Sequence, residues 1–118
     1  MKIKSVYISG PYSAGTTALE DHNIRIAAKA AFRYYKKGYA VFCPHLQTSY
    51  IDRNFNCGEV EYEDWLAVDI YWLSKCDVIV FLPGWEKSRG ARIERMAARG
   101  LGKKIVYLQG RKGDSCGE

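Results

Sequence analysis

The feature that most constrains this fold is the regular alternation of short strand-like segments with longer helix-like segments. Four short segments are rich in apolar β-forming residues: residues 3–9, 39–43, 77–83 and 104–108. Three longer segments carry apolar side chains at helical spacing: residues 19–37, 62–75 and 90–100. Strands that alternate with helices favour a parallel sheet with helices packed on both of its faces.

We therefore predict an α/β fold, a single Rossmann-like or flavodoxin-like three-layer domain with a parallel sheet of four to five strands. A chain of 118 residues suits one domain with one core. We assign residues 1–108 to this domain and residues 109–118 to a polar C-terminal tail. Residues 39–43 are expected to form a buried strand. Residues 44–64 form the longest irregular stretch, and such loops are often functional.

The apolar positions of the first two helices predict which faces meet the core. In the first helix they are Ile24, Ala27, Ala28, Ala31, Phe32 and Tyr35. In the second they are Trp65, Val68, Trp72, Leu73 and Cys76. Asp69 falls within this second stripe, four residues after Trp65. A carboxylate there must be hydrogen-bonded, paired with a cation or exposed to a cavity, and a purely structural aspartate is the competing interpretation.

Charge and cysteine usage exclude several classes of function. The net charge is +5, but the basic residues are scattered without an aromatic platform, so we predict no nucleic-acid partner. No apolar run is long enough to cross a bilayer, and no signal peptide is evident, so we expect a cytoplasmic protein without membrane contact. The cysteines form no CxxC pair, so we predict no metal and buried thiols at Cys43 and Cys76.

The carboxyl ends of the predicted strands bring three loops together: "SGPYS", "PHLQ" and "PGWEKSRG". Ligands of parallel α/β sheets bind at this edge. Ser9 and Gly10 lie in the first loop, where a glycine allows the backbone to approach a ligand closely. The loop matches neither a dinucleotide-binding fingerprint nor a Walker loop, which disfavours those cofactor and ATPase classes.

The start of the third helix carries the second candidate carboxylate. Glu94 follows the turn "KSRG" among small residues, and Ser88, Arg89 and Gly90 precede it. Free amides at a helix N-terminus attract anions, and the Ser88 hydroxyl and Arg89 add contacts suited to a phosphate. Ser88 is equally typical of a plain helix cap, and Glu94 of an exposed first-turn glutamate.

Three stretches together resemble the nucleoside 2-deoxyribosyltransferase superfamily: "YISGPYS", "DWLAVDIYWLSKCDVIVFLPGW" and "SRGARIERMAARGLGKKIVYL". That superfamily includes the 2'-deoxynucleoside 5'-monophosphate N-glycosidases, and the likeness is strongest to small bacterial and phage members with the pattern LPGWExSxGAxxE. The resemblance spans residues 3–108. Its spacing, D-x7-D followed by G-x3-E-x3-A, falls on Asp69, Asp77, Gly90, Glu94 and Ala98.

The resemblance implies roles for three residues. Glu94 matches the glutamate that attacks the anomeric carbon and displaces the base. Asp69 matches the second carboxylate, which acts at the leaving base or positions the substrate. Tyr7 matches a strand tyrosine that orients the nucleophile, although a core aromatic is the simpler interpretation of Tyr7 alone. The resemblance also implies a homodimer or higher homo-oligomer and no cofactor.

The substrate prediction rests on the position six residues before Glu94. The transferases typically have aspartate there, whereas this chain has Ser88, as do the monophosphate hydrolases, in which the serine contacts phosphate. The hydrolases also carry a longer Gly/Arg-rich turn after the first strand, which "GPYSAG" lacks. Trp85 is a candidate for stacking on the base and His45 for bonding its edge or the ribose; Tyr12 and Asn23 are weaker candidates.

We therefore predict an N-glycosidase that cleaves the base–sugar bond of a (deoxy)nucleoside 5'-monophosphate through a glutamate nucleophile. The first alternative is a nucleoside 2-deoxyribosyltransferase, which would exchange bases between deoxynucleosides. The second alternative is a non-catalytic protein that binds a nucleotide in the same cleft.

Overall fold

The computed structural model describes residues 2–110, and within them it contains a four-stranded, all-parallel sheet. The strands are β1 (Ser5–Ser9), β2 (Ala40–Phe42), β3 (Val78–Phe81) and β4 (Lys104–Tyr107), in the order β2-β1-β3-β4. Val6 of β1 pairs with Val41 and Val78. The predicted α/β class and parallel sheet are confirmed.

Helices connect the strands. They are α1 (Thr17–Lys36), α2 (Thr48–Phe55), α3 (Tyr62–Lys75) and α4 (Arg89–Gly100), with short 3₁₀ turns at Pro44–Leu46 and Trp85–Lys87. The Thr16 hydroxyl caps α1 by accepting from the amide of Leu19. The bounds of α3 agree with the prediction, and those of α1 and α4 agree within two residues.

The two faces of the sheet are covered by different helices, which gives the predicted three layers. Val6 and Ile8 of β1 pack with Ala27, Ala30 and other core residues on the α1 side. Tyr7 of β1 packs with Leu73 of α3 and Ala98 of α4 on the opposite side. Because side chains alternate along a strand, Ser9 shares the α4 side with Tyr7.

The helix within residues 44–64 was not predicted, and the expectation of an irregular stretch there is wrong. Helix α2 buries only Thr48, and its apolar residues Tyr50, Ile51 and Phe55 are exposed. Ile51 and Phe55 have helical spacing, but α2 has only eight residues, which is shorter than the window over which such spacing identifies a helix.

Two predicted faces also need correction. Phe32 and Tyr35 of α1 are 61% and 54% exposed, because the helix approaches the sheet through small residues, Ala27, Ala30 and Ala31. In α3, Leu73 is buried but Val68 and Trp72 are about 40% exposed. The expectation of a buried second strand is also wrong. The residues of β2 are exposed or half-buried because this strand lies at the sheet edge.

The expectation of buried thiols is confirmed at Cys43 and Cys76, and Cys57 is exposed. Burial raises the pKa of the Cys43 thiol to about 12. The predicted tail begins with Gln109 and Gly110; residues 111–118 lie outside the described part of the chain. Within that described part, no helix combines the length and apolar character needed to cross a membrane.

Candidate functional site

The centre of the site is the carboxylate of Glu94, which is buried and bonded to two strand hydroxyls. Its side chain is 7% exposed. The Tyr7 hydroxyl donates to Oε2 at 2.9 Å, and the Ser9 hydroxyl donates to Oε1 at 2.6 Å. Both donors come from the same face of β1, and Glu94 lies on the second turn of α4. The expectation that Tyr7 contacts the nucleophile candidate is met, and an exposed first-turn glutamate is excluded.

Burial raises the pKa of Glu94 to about 7. The hydrogen bond from Ser9 opposes the rise, the charge of Asp69 adds to it, and the bond from Tyr7 opposes it. Burial also raises the pKa of Tyr7 well above its ordinary value, with the charge of Glu94 as the next cause. Tyr7 therefore remains a hydrogen-bond donor at neutral pH, and Glu94 can change its charge there.

Asp69 is the second carboxylate of the site. It lies on α3, is half-buried, and its Oδ1 accepts a hydrogen bond at 3.0 Å from the hydroxyl of Thr48 on α2. Burial raises its pKa to about 6, against the lowering effect of the Thr48 bond. Its partner in the D-x7-D spacing, Asp77, lies elsewhere: it accepts a bond from the amide of Ser5, where β1 begins.

Both carboxylates line one cleft of about 720 Å³ at the carboxyl edge of the sheet. Ligand pockets for drug-sized molecules have volumes of this order. The predicted site residues that line the cleft are Ser9, Gly10, His45, Asp69, Ser88, Arg89, Gly90 and Glu94. The structure thus brings together residues from the three loops that the strand order predicts to meet.

The start of α4 forms the cationic end of this cleft. The Ser88 hydroxyl accepts from the amide of Ala91 at 3.2 Å, so Ser88 is a helix cap and also lines the cleft. The guanidinium of Arg89 lies 5.1 Å from the ring centre of Tyr62, and Lys87 adds a second cation to the lining. A Cβ at Gly90 would lie 3.1 Å from the Tyr62 hydroxyl, so a larger residue there would require a small shift of the Tyr62 side chain.

Gly10 serves the packing of the sheet edge. A Cβ added there would lie 2.7 Å from the Leu82 side chain, which is closer than real Cβ contacts. Glycine therefore lets the chain leaving β1 pass directly over the residue that follows β3. Gly10 still lines the cleft, but the close approach that the structure shows is to Leu82.

His45 is held in place by the protein rather than exposed to solvent. It is 3% exposed, its Nε2 lies 2.8 Å from the carbonyl oxygen of Pro11, and its Nδ1 lies 3.9 Å from the Cys43 sulfur. Burial lowers the pKa of His45, so the ring is neutral and Nε2 donates to Pro11. His45 lines the cleft while tying the first loop to the turn after β2.

The prediction that Trp85 faces the ligand is wrong. Its ring centre lies 5.6 Å from those of Phe81 and Tyr107, and the Arg95 guanidinium lies over it at 5.1 Å. Trp85 lines a separate pocket of about 450 Å³ that includes Tyr107 and Arg95. Trp85 follows the left-handed turn at Gly84 (φ 86°). Its ring packs on the apolar side of β3 and β4, away from the cleft.

Tyr12 and Asn23, the two weaker candidates for ligand binding, lie in different positions relative to the cleft. Tyr12 lines the cleft and meets His45 edge-on, with ring centres 6.1 Å apart. The Asn23 amide donates to the backbone oxygen of Tyr12 at 3.1 Å. Asn23 therefore holds the loop that carries Tyr12.

A comparison with protein families matches residues 4–107 to a domain of unknown function, DUF4406. The chain belongs to the DUF4406 family. A search among curated proteins finds no match.

Several cleft residues of this DUF4406 protein were not predicted. They are Thr48, Asp52, Tyr62, Trp65 and Leu66. Thr48 and Asp52 lie on α2, the helix that the apolar pattern does not reveal. The i, i+4 spacing of Trp65 and Asp69 on α3 was the available signal, because two residues at that spacing share one helix face. Among the described residues, the buried indole nitrogen of Trp65 has no hydrogen-bond partner.

Among residues 2–110 of the DUF4406 protein, no three His, Cys, Asp or Glu side chains are grouped so as to hold a metal ion. The functional groups of the cleft are three carboxylates, the His45 imidazole, several hydroxyls, aromatic rings and two cations. Such a set suits acid–base and nucleophilic chemistry by carboxylates.

Proposed function

We propose that this DUF4406 protein is an N-glycosidase that cleaves the base–sugar bond of a (deoxy)nucleoside 5'-monophosphate, with Glu94 as the nucleophile. The observation that carries the proposal is the Glu94 carboxylate, buried in the cleft with each oxygen bonded to one hydroxyl of β1. These bonds fix the carboxylate, and each oxygen keeps a second lone pair for a reacting carbon. The likeness to the nucleoside 2-deoxyribosyltransferase superfamily supports the same assignment.

The proposed first step forms a covalent sugar ester. A Glu94 oxygen attacks C1' of the sugar, and the bond between C1' and the base nitrogen breaks with its electron pair passing to the base. Asp69, protonated, gives its proton to the leaving base. Positive charge develops on the sugar ring in such a transition state, and the Glu94 carboxylate stabilises it.

In the second step, water completes the hydrolysis. Asp69, now ionised, takes a proton from a water molecule whose oxygen attacks C1'. The ester bond to Glu94 breaks, and its electron pair returns to the carboxylate. The products are the free base and a sugar 5-phosphate, and both carboxylates regain their starting protonation states.

The cationic end of the cleft supports a phosphate on the substrate. Lys87 and Arg89 supply positive charge, and the start of α4 supplies backbone amides and the Ser88 hydroxyl. Glu94 lies six residues into the same helix, so an anion bound at the helix start is held beside the nucleophile. A homodimer and a cytoplasmic location are part of this proposal.

The test is the release of free base from a panel of ribo- and deoxynucleosides and their 5'-monophosphates, followed by chromatography. Glu94→Gln is assayed alongside Glu86→Gln, whose glutamate lines the separate pocket near Trp85. We expect release from monophosphates that Glu94→Gln abolishes and Glu86→Gln retains. Release only after a second base is added would indicate transfer, and a nucleotide bound but recovered intact would overturn the enzyme assignment.

A further inference from the structure

The two cations of the cleft and two of its three carboxylates come from different elements of the fold. Lys87 ends the 3₁₀ turn before α4 and Arg89 begins α4, whereas Asp52 and Asp69 lie on α2 and α3; Glu94, the third carboxylate, lies between these groups in the proposed binding mode. A nucleotide has a matching asymmetry, because its phosphate is anionic and its base can carry hydrogen-bond donors. With the phosphate at the start of α4 and the sugar at Glu94, the base is directed toward the aspartates.

Asp52 and Asp69 both line the cleft, and Thr48 connects the helices that carry them. Thr48 and Asp52 are four residues apart on α2 and share one face of the helix, and Thr48 bonds to Asp69 at 3.0 Å. Oδ1 of Asp52 accepts a bond from the side chain of Asn56 at 2.7 Å. Within residues 2–110, Oδ2 has no donor, so one carboxylate oxygen of Asp52 is available at the cleft.

We infer that Asp52 selects a nucleobase that carries an amino group, such as cytosine or adenine, over its keto counterpart. The inference rests on the proposed function for the direction in which the nucleotide lies. A carboxylate oxygen accepts a hydrogen bond from an exocyclic amino group, whereas it repels the carbonyl oxygen that uracil or hypoxanthine presents at the same position. Asp52 is a specificity residue in this account and takes no part in bond cleavage.

The matched ligands are the 5'-monophosphates of deoxycytidine and deoxyuridine, which differ at one base substituent, with the deoxyadenosine and deoxyinosine pair as a second comparison. Calorimetry with Glu94→Gln measures binding without consuming the ligand. We expect the amino-bearing nucleotide of each pair to bind about 10- to 100-fold more tightly, the range for a hydrogen bond to a charged group.

Asp52→Asn, added to Glu94→Gln, tests the residue itself. The amide keeps an oxygen for Asn56 and places an NH₂ where the free Oδ2 lies, so the preference should disappear or reverse toward the keto base. Asp64→Asn is the control, because Asp64 is an exposed aspartate in the first turn of α3, and it should leave the preference unchanged.

The outcomes separate this inference from the proposed function. Equal binding of the paired nucleotides, or a preference that survives Asp52→Asn, overturns the role of Asp52 even if the wild-type protein releases base. The predicted preference without any base release supports Asp52 and overturns hydrolysis. If no nucleotide binds, both are overturned.

Discussion

Glu94 and Asp69 line the same cleft, but the protein holds them in different ways. Glu94 is fixed from the sheet, by two hydroxyls that share one face of β1. Asp69 is held by one hydroxyl, from a helix whose apolar side chains lie mostly in solvent. Glu94 is buried and Asp69 is half-buried.

This difference matches the demands of two chemical roles. A nucleophile must meet its target along one direction, so a carboxylate fixed by a rigid strand suits it. An acid that gives and regains a proton must exchange with water, so a more accessible carboxylate suits that role. The two acids are therefore not interchangeable in the proposed mechanism.

The largest expected difference is in catalysis. We expect Glu94→Gln to lower the rate of base release about 10⁴-fold or more, because no covalent intermediate can form. Asp69→Asn should lower the rate of base release by about 10²- to 10³-fold, which lies within the range for general acid–base catalysis. Single-turnover assays of the two variants in parallel measure both effects. Equal losses would contradict the separate roles.

The second difference is in stability. The pKa of Glu94 is about 7 in the folded protein, against an ordinary value near 4.5, so the folded state binds protons more tightly. The contribution of Glu94 to stability is therefore fully present below pH 4.5 and is lost as the pH rises through 7. At pH 8, Glu94→Gln should increase the free energy of unfolding by about 3 kcal/mol.

Urea unfolding at pH 4.5 and pH 8 measures this effect. The increase in the free energy of unfolding caused by Glu94→Gln should be present at pH 8. It should be nearly absent at pH 4.5, where the wild-type carboxyl is largely protonated. Asp69→Asn should give a smaller gain, since its pKa rises to about 6 and it is less buried. A gain that is independent of pH would point to packing rather than to ionisation.

The third difference is in the pH dependence of kcat/KM. The reactive form, with Glu94 ionised and Asp69 protonated, is the minor singly protonated form, because the pKa of Glu94 is about 7 and that of Asp69 is about 6. The profile should therefore be a bell with its acid limb near pH 6 and its alkaline limb near pH 7. Asp69→Asn should remove the fall on the alkaline side. The remaining limb should then report the pKa of Glu94 alone, without the raising effect of the Asp69 charge.

The smallest effect concerns the hydroxyls that hold the nucleophile. Tyr7→Phe should lower the rate about tenfold, the cost of one hydrogen bond to a charged group. Loss of this donor also raises the pKa of Glu94, so the limb near pH 7 should move to higher pH. Phe42→Leu replaces another aromatic that packs near Tyr7 and should leave that limb in place, which separates hydrogen bonding from packing.

Much of the fold could be predicted from the sequence because it depends on local patterns. The buried strands β1 and β3 and the helix α3 have the apolar runs and spacing that define them. The order of these elements also predicts which loops meet. Glu94 and Ser88 could be identified because a glutamate follows a serine turn at a helix start, and the family resemblance added Tyr7.

The remainder depends on contacts that no local pattern records. Helix α2 has only eight residues, too few for its apolar spacing to identify it, so Thr48 and Asp52 were missed with it. The side on which Trp85 packs is decided by Phe81 and Tyr107, which only the assembled sheet brings close. The Tyr7 and Ser9 bonds to Glu94 likewise join residues more than eighty positions apart.

The most direct test of the central claim is the configuration of the sugar product when methanol replaces water as the acceptor. The substrate is the nucleoside monophosphate that releases base, and NMR identifies the methyl glycoside. If Glu94 forms a covalent ester, two successive inversions give the β-anomer, which retains the configuration of the nucleotide. The α-anomer would show that the solvent attacks C1' directly and that Glu94 is not the nucleophile.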